Sequence, residues 1–560
     1  MQINKWYFLL LIVGFSFSLS AQDEFESDRL ASKCLTFKPK NYLTEHIKSH
    51  SEILVYNRPV LQKSAESKSK RFLIHYDVTG KNAVPADDRD KNGISDFVDS
   101  ALIFIDWVYE VECNELHYVT PRSDDSAGGT PAYDIYMMNI GDGGSQSQGS
   151  YGFTYPEYEY SSTYNRSKYT SYIVIDNDYS EKDSSNTTSG KRYRTFYDTS
   201  YTALKITLAH EYHHAIQFTY GDDLTSRCLN EMTSTWMEYR LVPYTVDFLQ
   251  YVRLLFRDPR AYPFGNGLAE TGYLYSILCH YLKQNFGDSV LLRMWEIMSV
   301  GNQGYKSLDM ALQERNTNLA DEWCKQLEWL YYTGKRAKPD KYFKLAAMFP
   351  EVKFYKDEAF ISPTYTHSGG LLAFEFRFFR IWFSYPDQKM MTPDTVDIIL
   401  TDTDTQSAIL QGDREMPYSI AISSDQIAGG QIFGNINKYY YKLTTPQGNI
   451  CDDFYFSQGE LTKLICYAYP NPFLTQKDQE MVFPAPDGAP VGAKLEEFYI
   501  MNSSMEKVFE SSSLIVGIND QNRSVILSDN IKNLSTGVYL FHSKYKSNEC
   551  SGKFAIINQK

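Results

Sequence analysis

The spacing of apolar residues divides the first two thirds of the chain into a strand-rich stretch followed by a helical one. Residues 71–77, 132–139 and 171–176 are rich in Ile, Val and Tyr, which predicts strands. Between residue 202 and about 332, apolar residues recur every three or four positions in four segments, which predicts four helices: LKITLAHEYHHAIQF, NEMTSTWMEYRLV, TGYLYSILCHYLKQNFG and DEWCKQLEWLYY. Because the strands precede the helices, we expect an α+β domain over residues 71–345.

Alternating apolar positions return beyond residue 352. The segments LLAFEFRFFRIWF, TVDIILTD and NKYYYKLTT predict a β-sandwich accessory domain over residues 352–460. A last, small all-β unit is predicted over residues 467–560. The full length of 560 residues is too great for a single core, so several units are expected.

The N-terminus carries the pattern of a secretory signal peptide. Lys5 precedes an apolar run at residues 6–17, and small residues follow at Ser18, Ser20 and Ala21. The run is too short to span a bilayer, so residues 1–21 are predicted to be removed on export and no transmembrane anchor is expected. Residues 22–70 are polar and predict an N-terminal extension or pro-segment.

Composition narrows the class of protein further. A net charge of -14 with 15% aromatic residues argues against nucleic-acid binding and favours an extracellular protein. The eight cysteines could pair in an exported chain, although their spacing does not give the pairing and no CxxC zinc motif occurs. For Cys34 we expect a disulfide; the alternative is that it caps a zinc ion in a latent form.

The segment His210-Glu211-Tyr212-His213-His214 has the H-E-x-x-H spacing of a zinc site. Residues four apart on a helix differ by about 40°, so His210 and His214 can bind one ion. A catalytic zinc needs three protein ligands and an open position for water, whose proton Glu211 would accept as general base. The alternative is a polar helix face without an ion.

Glu231 is the predicted third zinc ligand. It shares a helix face with Thr235 and Glu238. We expect one of these two residues to hydrogen-bond to a metal-binding side chain and so to orient it. His213 lies three residues from His210 and competes less well than His214, so we expect a structural role for it. For Glu231 and Glu238, the alternative is that their carboxylates are solvated and bind no metal.

An acidic loop predicts a structural calcium ion near the start of the same domain. Oxygen-bearing side chains occur at positions 1, 3, 5, 9 and 12 of a calcium loop, with Gly93 at the sharp turn at position 6. An acidic solvated turn is the alternative. The candidate ligands, with Ile94 included for position 7, are Asp88, Asp90, Asn92, Ile94, Asp96 and Asp99.

The stretch HEYHHAIQFTYGDD, followed by NEMTSTWMEY, resembles secreted gluzincin-type bacterial metallopeptidases. It is similar to a metalloprotease family first described in myxobacteria and common in Bacteroidetes, and the likeness runs from about residue 72 to 335. This resemblance implies a zincin-like fold and a tyrosine that polarises the scissile carbonyl. Tyr273 is our candidate for that tyrosine.

The C-terminal unit also carries a resemblance. The motif YPNPF, the segment LSTGVYLF and the ending GKFAII together resemble the C-terminal sorting domain of type IX secretion substrates of Bacteroidetes. The resemblance implies type IX secretion machinery as a partner and a secreted or cell-surface location.

Together these features predict a secreted zinc-dependent endopeptidase that acts on a protein or peptide substrate. The competing hypothesis is a non-catalytic surface adhesin that retains a metal-stabilised peptidase fold and binds through Tyr-rich loops. The sequence does not give the cleavage specificity.

Overall fold

The computed structural model has a mixed α+β fold, with several helices and several sheets. The predicted signal peptide and most of the predicted extension lie outside the described residues. The residues described are 33–38, 43, 54–55, 58–142, 149–186, 191–222, 227–360, 364–383, 394–403, 415–423, 430–434, 438–445, 448–449, 455–457, 468, 470, 472–486, 489–502, 504, 506–519, 522–546 and 548–558.

The chain forms two compact units. The first consists of the described residues up to 162 together with 167–219 and 237–247, and the second of 163–166, 220–236 and the described residues from 248 onwards. The strands before residue 200 are β1 (Leu54–Val55), β2 (Arg58–Pro59), β3 (Lys63–Glu66), β4 (Phe72–Tyr76), β5 (Tyr133–Met138), β6 (Gly152–Thr163), β7 (Arg166–Asp176), β8 (Ser184–Asn186) and β9 (Arg192–Arg194).

A five-stranded sheet organises the first unit. Its order is β3-β4-β5-β7-β6, with parallel pairing from β4 to β5 and from β5 to β7. The last seven residues of β7 are all buried, as expected for a parallel strand covered on both faces. The three strands predicted before residue 200 are thereby confirmed, and β6 is left at an edge of the sheet.

The helices are α1 (Asp96–Tyr109), α2 (Ser200–Tyr220), α3 (Arg227–Leu241), α4 (Leu249–Arg257), α5 (Ala269–Phe286), α6 (Ser289–Ser299), α7 (Gly304–Gln313) and α8 (Leu319–Tyr331). A π-helical segment, Glu110–Glu115, continues α1. The helices predicted from residue 202 onwards are confirmed in α2, α3, α5 and α8. Every residue of α2 from 206 to 220 is buried, so this helix has no solvent-facing side over that length.

The strands that follow are β10 (Lys356–Phe360), β11 (Thr364–Leu371), β12 (Phe376–Phe383), β13 (Asp394–Thr401), β14 (Met416–Ser423), β15 (Gly430–Gly434), β16 (Lys438–Thr445), β17 (Gly448–Asn449) and β18 (Tyr455–Ser457). They form a six-stranded sheet and a three-stranded sheet. One predicted strand, LLAFEFRFFRIWF, is wrong in its first half. Residues 372–375 form a turn closed by a hydrogen bond from Glu375 N to Leu372 O, so β12 begins only at Phe376.

The C-terminal residues are again all-β except for one short helix. They contain β19 (Phe473–Leu474), β20 (Met481–Pro484), β21 (Glu497–Met501), β22 (Lys507–Ser511), β23 (Gly517–Asn519), β24 (Asn522–Leu527), α9 (Asp529–Lys532), β25 (Gly537–Tyr545) and β26 (Asn548–Ile557). Five of these strands form one sheet and three form another. The ring of Phe483 from the smaller sheet packs against Phe498, Phe541 and Phe554 from the larger one, so one core joins both sheets.

The cysteines depart from the expectation for an exported chain. All six that the structure describes are buried and none of them forms a disulfide, and Cys34 is among them. The disulfide expected for Cys34 is therefore wrong. Cys451 and Cys466 lie outside the described residues. No helix in the described part of the chain combines the length and apolarity needed to cross a membrane.

Candidate metal centre

Two histidines on successive turns of α2 face each other across a short gap. The Nε2 atoms of His210 and His214 lie 3.0 Å apart, and both side chains are buried. Together with Cys34 they form a buried group in which one ligand atom of each residue lies within 4.8 Å of the others. The structure thus brings two of the predicted zinc ligands together and adds a cysteine to them, while Glu231, the third predicted ligand, is buried on α3.

Hydrogen bonds behind the two rings set which nitrogen of each faces the gap. His210 Nδ1 lies 2.7 Å from Glu238 Oε1, and His214 Nδ1 lies 2.7 Å from Gln217 Oε1. A carboxylate or amide oxygen only accepts, so each Nδ1 is the donor and carries the ring proton. Both Nε2 atoms then present lone pairs to the same point, an arrangement that a shared cation stabilises.

The donor set fits zinc. Imidazole nitrogen, carboxylate oxygen and cysteine sulfur are the ligands that Zn²⁺ prefers in proteins, usually in a tetrahedron. Two nitrogens at about 2.0–2.1 Å from a tetrahedral zinc are about 3.3 Å apart. The observed separation between the His210 and His214 Nε2 atoms is close to that value.

Glu211, the predicted general base, lies between α2 and strand β6. Its Oε2 accepts hydrogen bonds from Thr154 Oγ1 at 2.9 Å and from Thr36 Oγ1 at 3.2 Å. Gly152 allows β6 to come this close, because a Cβ at that position would lie 2.8 Å from Thr207 Cγ2 and 3.1 Å from Glu211 Cγ. The carboxylate is therefore buried and held by two hydroxyl groups, one of them from the N-terminal segment.

Glu238 links His210 to a buried ion pair. Its second oxygen accepts from Lys33 Nζ at 2.8 Å, and Lys33 also contacts Asp247 Oδ2 at 2.6 Å. Burial disfavours the charged ammonium group, but Asp247 and Glu238 outweigh this and raise the pKa of Lys33 well above its usual value. Of the two supporting residues predicted, Glu238 contacts a ligand, whereas the Thr235 hydroxyl has no hydrogen-bond partner in the described part of the chain.

His213 lies outside the group, about 60° from His210 and about 100° from His214 around α2. Its Nδ1 lies 2.7 Å from Glu112 Oε2 in the π-helical segment, and its ring packs edge-on against Tyr118. Burial, and then the charges of His214 and His210, lower the pKa of His213 well below its usual value. Burial also raises the pKa of Glu112 well above its usual range. His213 is thus part of the packing between α2 and the π-helical segment.

Tyr273, the predicted carbonyl-polarising residue, is buried in α5. Its ring lies 5.2 Å from the ring of Tyr251 in α4. The preceding residue, Gly272, packs against α3, since a Cβ there would lie 2.7 Å from Glu231 Cβ. The role of Tyr273 stays a prediction.

The predicted calcium loop gathers carboxylates at the start of α1. Ligand oxygens of Asp88, Asp90 and Asp96 lie within 4.8 Å of one another. The amide of Gly93, at φ 86°, donates to Asp88 Oδ2 at 3.0 Å, and Asn92 Nδ2 donates to Asp99 Oδ2 at 2.8 Å. The amide of Ile94 donates to Asn92 Oδ1 at 2.7 Å. Four of the six predicted residues thus lie in the loop before α1, and Asp96 and Asp99 lie in the first turn of the helix; all six are exposed or half-buried.

A third acidic group was not predicted from the sequence. Ligand oxygens of Asp176, Asp178 and Asp183 also lie within 4.8 Å of one another. Asp176, the last residue of β7, accepts from four backbone amides, those of Ile140 and Gly141 after β5 and those of Asp178 and Tyr179 after β7. Burial raises its pKa to about 7. The spacing of these residues follows no metal motif, so only the fold reveals the group.

No protein-family model matches the sequence, and no curated protein is detectably similar to it.

Proposed function

We propose that the protein is a zinc-dependent endopeptidase in which His210, His214 and Glu231 hold the metal. The observation that carries this proposal is the pair of Nε2 atoms 3.0 Å apart, each fixed by an acceptor on its Nδ1 atom. A buried carboxylate, Glu211, follows the first of these histidines directly in the chain. Metal ligands and a neighbouring base are the minimum that hydrolysis by a metal centre needs.

Zinc, when bound, lowers the pKa of a coordinated water to about 7 and polarises a carbonyl. Glu211 is the general base that accepts the proton of the attacking water. Thr154 keeps the Glu211 carboxylate in place through its 2.9 Å hydrogen bond. Glu238 keeps the ring of His210 oriented and increases its basicity as a ligand. Tyr273 is proposed as the donor to the substrate carbonyl.

The loop of Asp88, Asp90, Asn92, Ile94, Asp96 and Asp99 is proposed to bind a structural calcium ion. Hard oxygen donors suit Ca²⁺, and its positive charge would relieve the repulsion among the neighbouring carboxylates. Because Ser95 caps α1 by accepting from Phe97 N, the loop runs directly into a rigid helix. A bound ion would therefore fix the entry to α1.

The remaining proposals follow from the resemblances in the sequence. We propose a zincin-like fold for residues 71–345, a β-sandwich for 352–460 and a sorting domain for 467–560. The core shared by two sheets in the C-terminal residues supports the last of these. The chain would then leave the cell through its signal peptide and the type IX machinery, to be secreted or kept at the cell surface.

A peptide library assayed with and without a chelator tests the proposed function. The full chain is used with and without Cys34→Ser, because this substitution removes the thiol from the metal group. We expect cleavage that chelation abolishes and zinc restores. Glu211→Gln should lower it by about 10²–10⁴-fold while zinc remains bound. Glu181→Gln changes an exposed carboxylate and is the matched control.

Cleavage that survives Glu211→Gln would contradict the mechanism. A chain that purifies without zinc and cleaves nothing in either form would favour the adhesin.

A further inference from the structure

Residues 33–35 lie beside the edge strand of the first sheet. Cys34 forms a parallel bridge with Gly152 at the start of β6. Leu35 N donates to Gly152 O at 3.3 Å, and Tyr151 N donates to Lys33 O at 3.0 Å. Leu35 is buried in a core cluster with residues of β5, β6 and β7. Residues 33–35 therefore add to the edge of the sheet at β6 through this bridge, and the chain then turns back, since Lys38 N donates to Leu35 O at 2.9 Å.

Four side chains of this short segment contact the candidate metal centre or its supports. Cys34 contributes its sulfur to the group of His210 and His214. Phe37 packs edge-on against the His214 ring at 5.2 Å. Thr36 and Lys33 form the contacts with Glu211 and Glu238 described above. Buried polar and apolar contacts thus converge on one place from a segment distant in sequence.

We infer that residues 33–38 are an inhibitory segment that occupies the substrate's place, with Cys34 as a fourth metal ligand. This inference rests on the proposed function, because it assigns a mode of regulation to the same site. The segment keeps the chain latent until it is displaced or cut away.

The chemistry of the contacts explains the latency. Cys34 binds as a thiolate, and its proton passes to solvent. The amide of Thr36 points at the sulfur over 3.5 Å and helps to stabilise its charge. With four protein ligands, a tetrahedral zinc has no open position for water. The Thr36 hydroxyl also occupies the Glu211 carboxylate that would receive the proton.

The position of residues 33–38 in the chain explains how the inhibition is relieved. While residues 33–38 are tethered to β3, they compete with substrate at the high effective concentration of an intramolecular ligand. A cut between residue 38 and β3 ends this advantage, because the segment must then bind as a separate peptide. Lys33 anchors it through two buried carboxylates, so the latent form is stable until that cut is made.

Cobalt replacement in the full chain tests whether Cys34 is a ligand. We expect the wild-type chain to show the near-ultraviolet charge-transfer absorption of a thiolate bound to Co²⁺, and Cys34→Ser to lose it while retaining cobalt. Cys113→Ser changes a buried free thiol outside the group and should keep the absorption. A wild-type chain without this absorption, or a Cys34→Ser chain that keeps it, would overturn the inference.

Thiol labelling of the wild-type chain gives a second readout that needs no variant. Maleimide labelling of Cys34, followed on its own peptide by mass spectrometry, should be slow in the zinc form and on the order of tenfold or more faster after chelation. Labelling at the same rate in both forms would show that the metal does not hold the thiol.

Peptide hydrolysis then separates this inference from the proposed function. We expect the Cys34→Ser chain to cleave on the order of tenfold or more faster than the wild-type chain. Equal rates that both depend on Glu211 would overturn the inhibitory role but leave the peptidase intact. If no form cleaves any peptide, the peptidase proposal fails, and with it the inhibitory role; the cobalt spectrum still decides whether Cys34 is a ligand.

Discussion

The two candidate cation sites that the sequence predicts are built in opposite ways. In the group on α2 the side chains are buried, and distant residues such as Glu238 fix the orientation of each ring. In the loop before α1 the carboxylates are exposed or half-buried, and they are held by amides of their own turn, such as Gly93 N on Asp88. The first site depends on the fold of the whole unit, and the second on about a dozen consecutive residues.

This difference suggests how each site responds to its ion. A buried donor set pre-oriented by other side chains binds tightly, because little order has to be created on binding. An exposed acidic turn is screened by water and salt, so its ion contributes modestly. Removing zinc should therefore lower the peptidase activity and raise the reactivity of the Cys34 thiol. Removing calcium should lower the local stability at the start of α1.

The largest effect should follow from disturbing the support behind His210. Glu238→Gln replaces the carboxylate on His210 Nδ1 and should lower zinc affinity about 10–100-fold, measured by competition with a chelator. Lys33→Met removes the other partner of Glu238 but leaves the contact with His210 intact, so it should lower the affinity less. Equal losses in the two variants would show that the carboxylate does not act through His210.

His280 is buried but does not belong to the metal group, so it shows how burial alone changes the pKa of a histidine. His280 in α5 packs on Trp236 and Phe248, and burial lowers its pKa to about 3 from 6.5. The folded chain keeps His280 neutral while the unfolded chain protonates it, so stability is retained above pH 6.5 and lost progressively as the pH falls towards 3. At pH 5 this loss is about 2 kcal/mol.

His280→Gln removes that titration. Urea unfolding at pH 7.5 and pH 5 should therefore show a smaller loss of stability on acidification for the variant than for the wild-type chain. If both chains lose the same amount between the two pH values, His280 is protonated in the folded chain or does not contribute.

The smallest effect is expected at the acidic loop. Millimolar calcium should raise the free energy of unfolding by about 1 kcal/mol, and Asp90→Asn should shift this response to higher calcium concentration. Asp125→Asn, at an exposed position in another loop, is the matched control and should leave the response unchanged. A response to calcium that is identical in all three chains would exclude the loop as the binding site.

The sequence predicts those parts of the site that depend on one or two helices. Because residues four apart lie on one helix face, His210 and His214 were placed together, and the helix of Glu231 also carries Glu238 at the expected spacing of two turns. Three of the five strands of the first sheet, β4, β5 and β7, are recognised from their β-branched and aromatic residues, whereas β3 and β6 are not. Helix α1 and helices α4, α6 and α7 were missed, although each has an apolar face.

Contacts between residues far apart in the chain could not be predicted. Lys33 meets Glu238 across 205 positions, and Thr36 meets Glu211 across 175. Glu112 meets His213 across 101 positions and does so from a π-helical segment that no local pattern announces. The expected disulfide at Cys34 was wrong for the same reason, since the location of a thiol depends on tertiary packing.

X-ray absorption at the zinc edge of the purified full chain tests the central claim most directly. We predict bound zinc with two imidazole nitrogens and a carboxylate oxygen at about 2.0–2.2 Å and one sulfur at about 2.3 Å, the sulfur disappearing in Cys34→Ser. A chain without zinc, or a zinc environment without two imidazoles, would contradict the account.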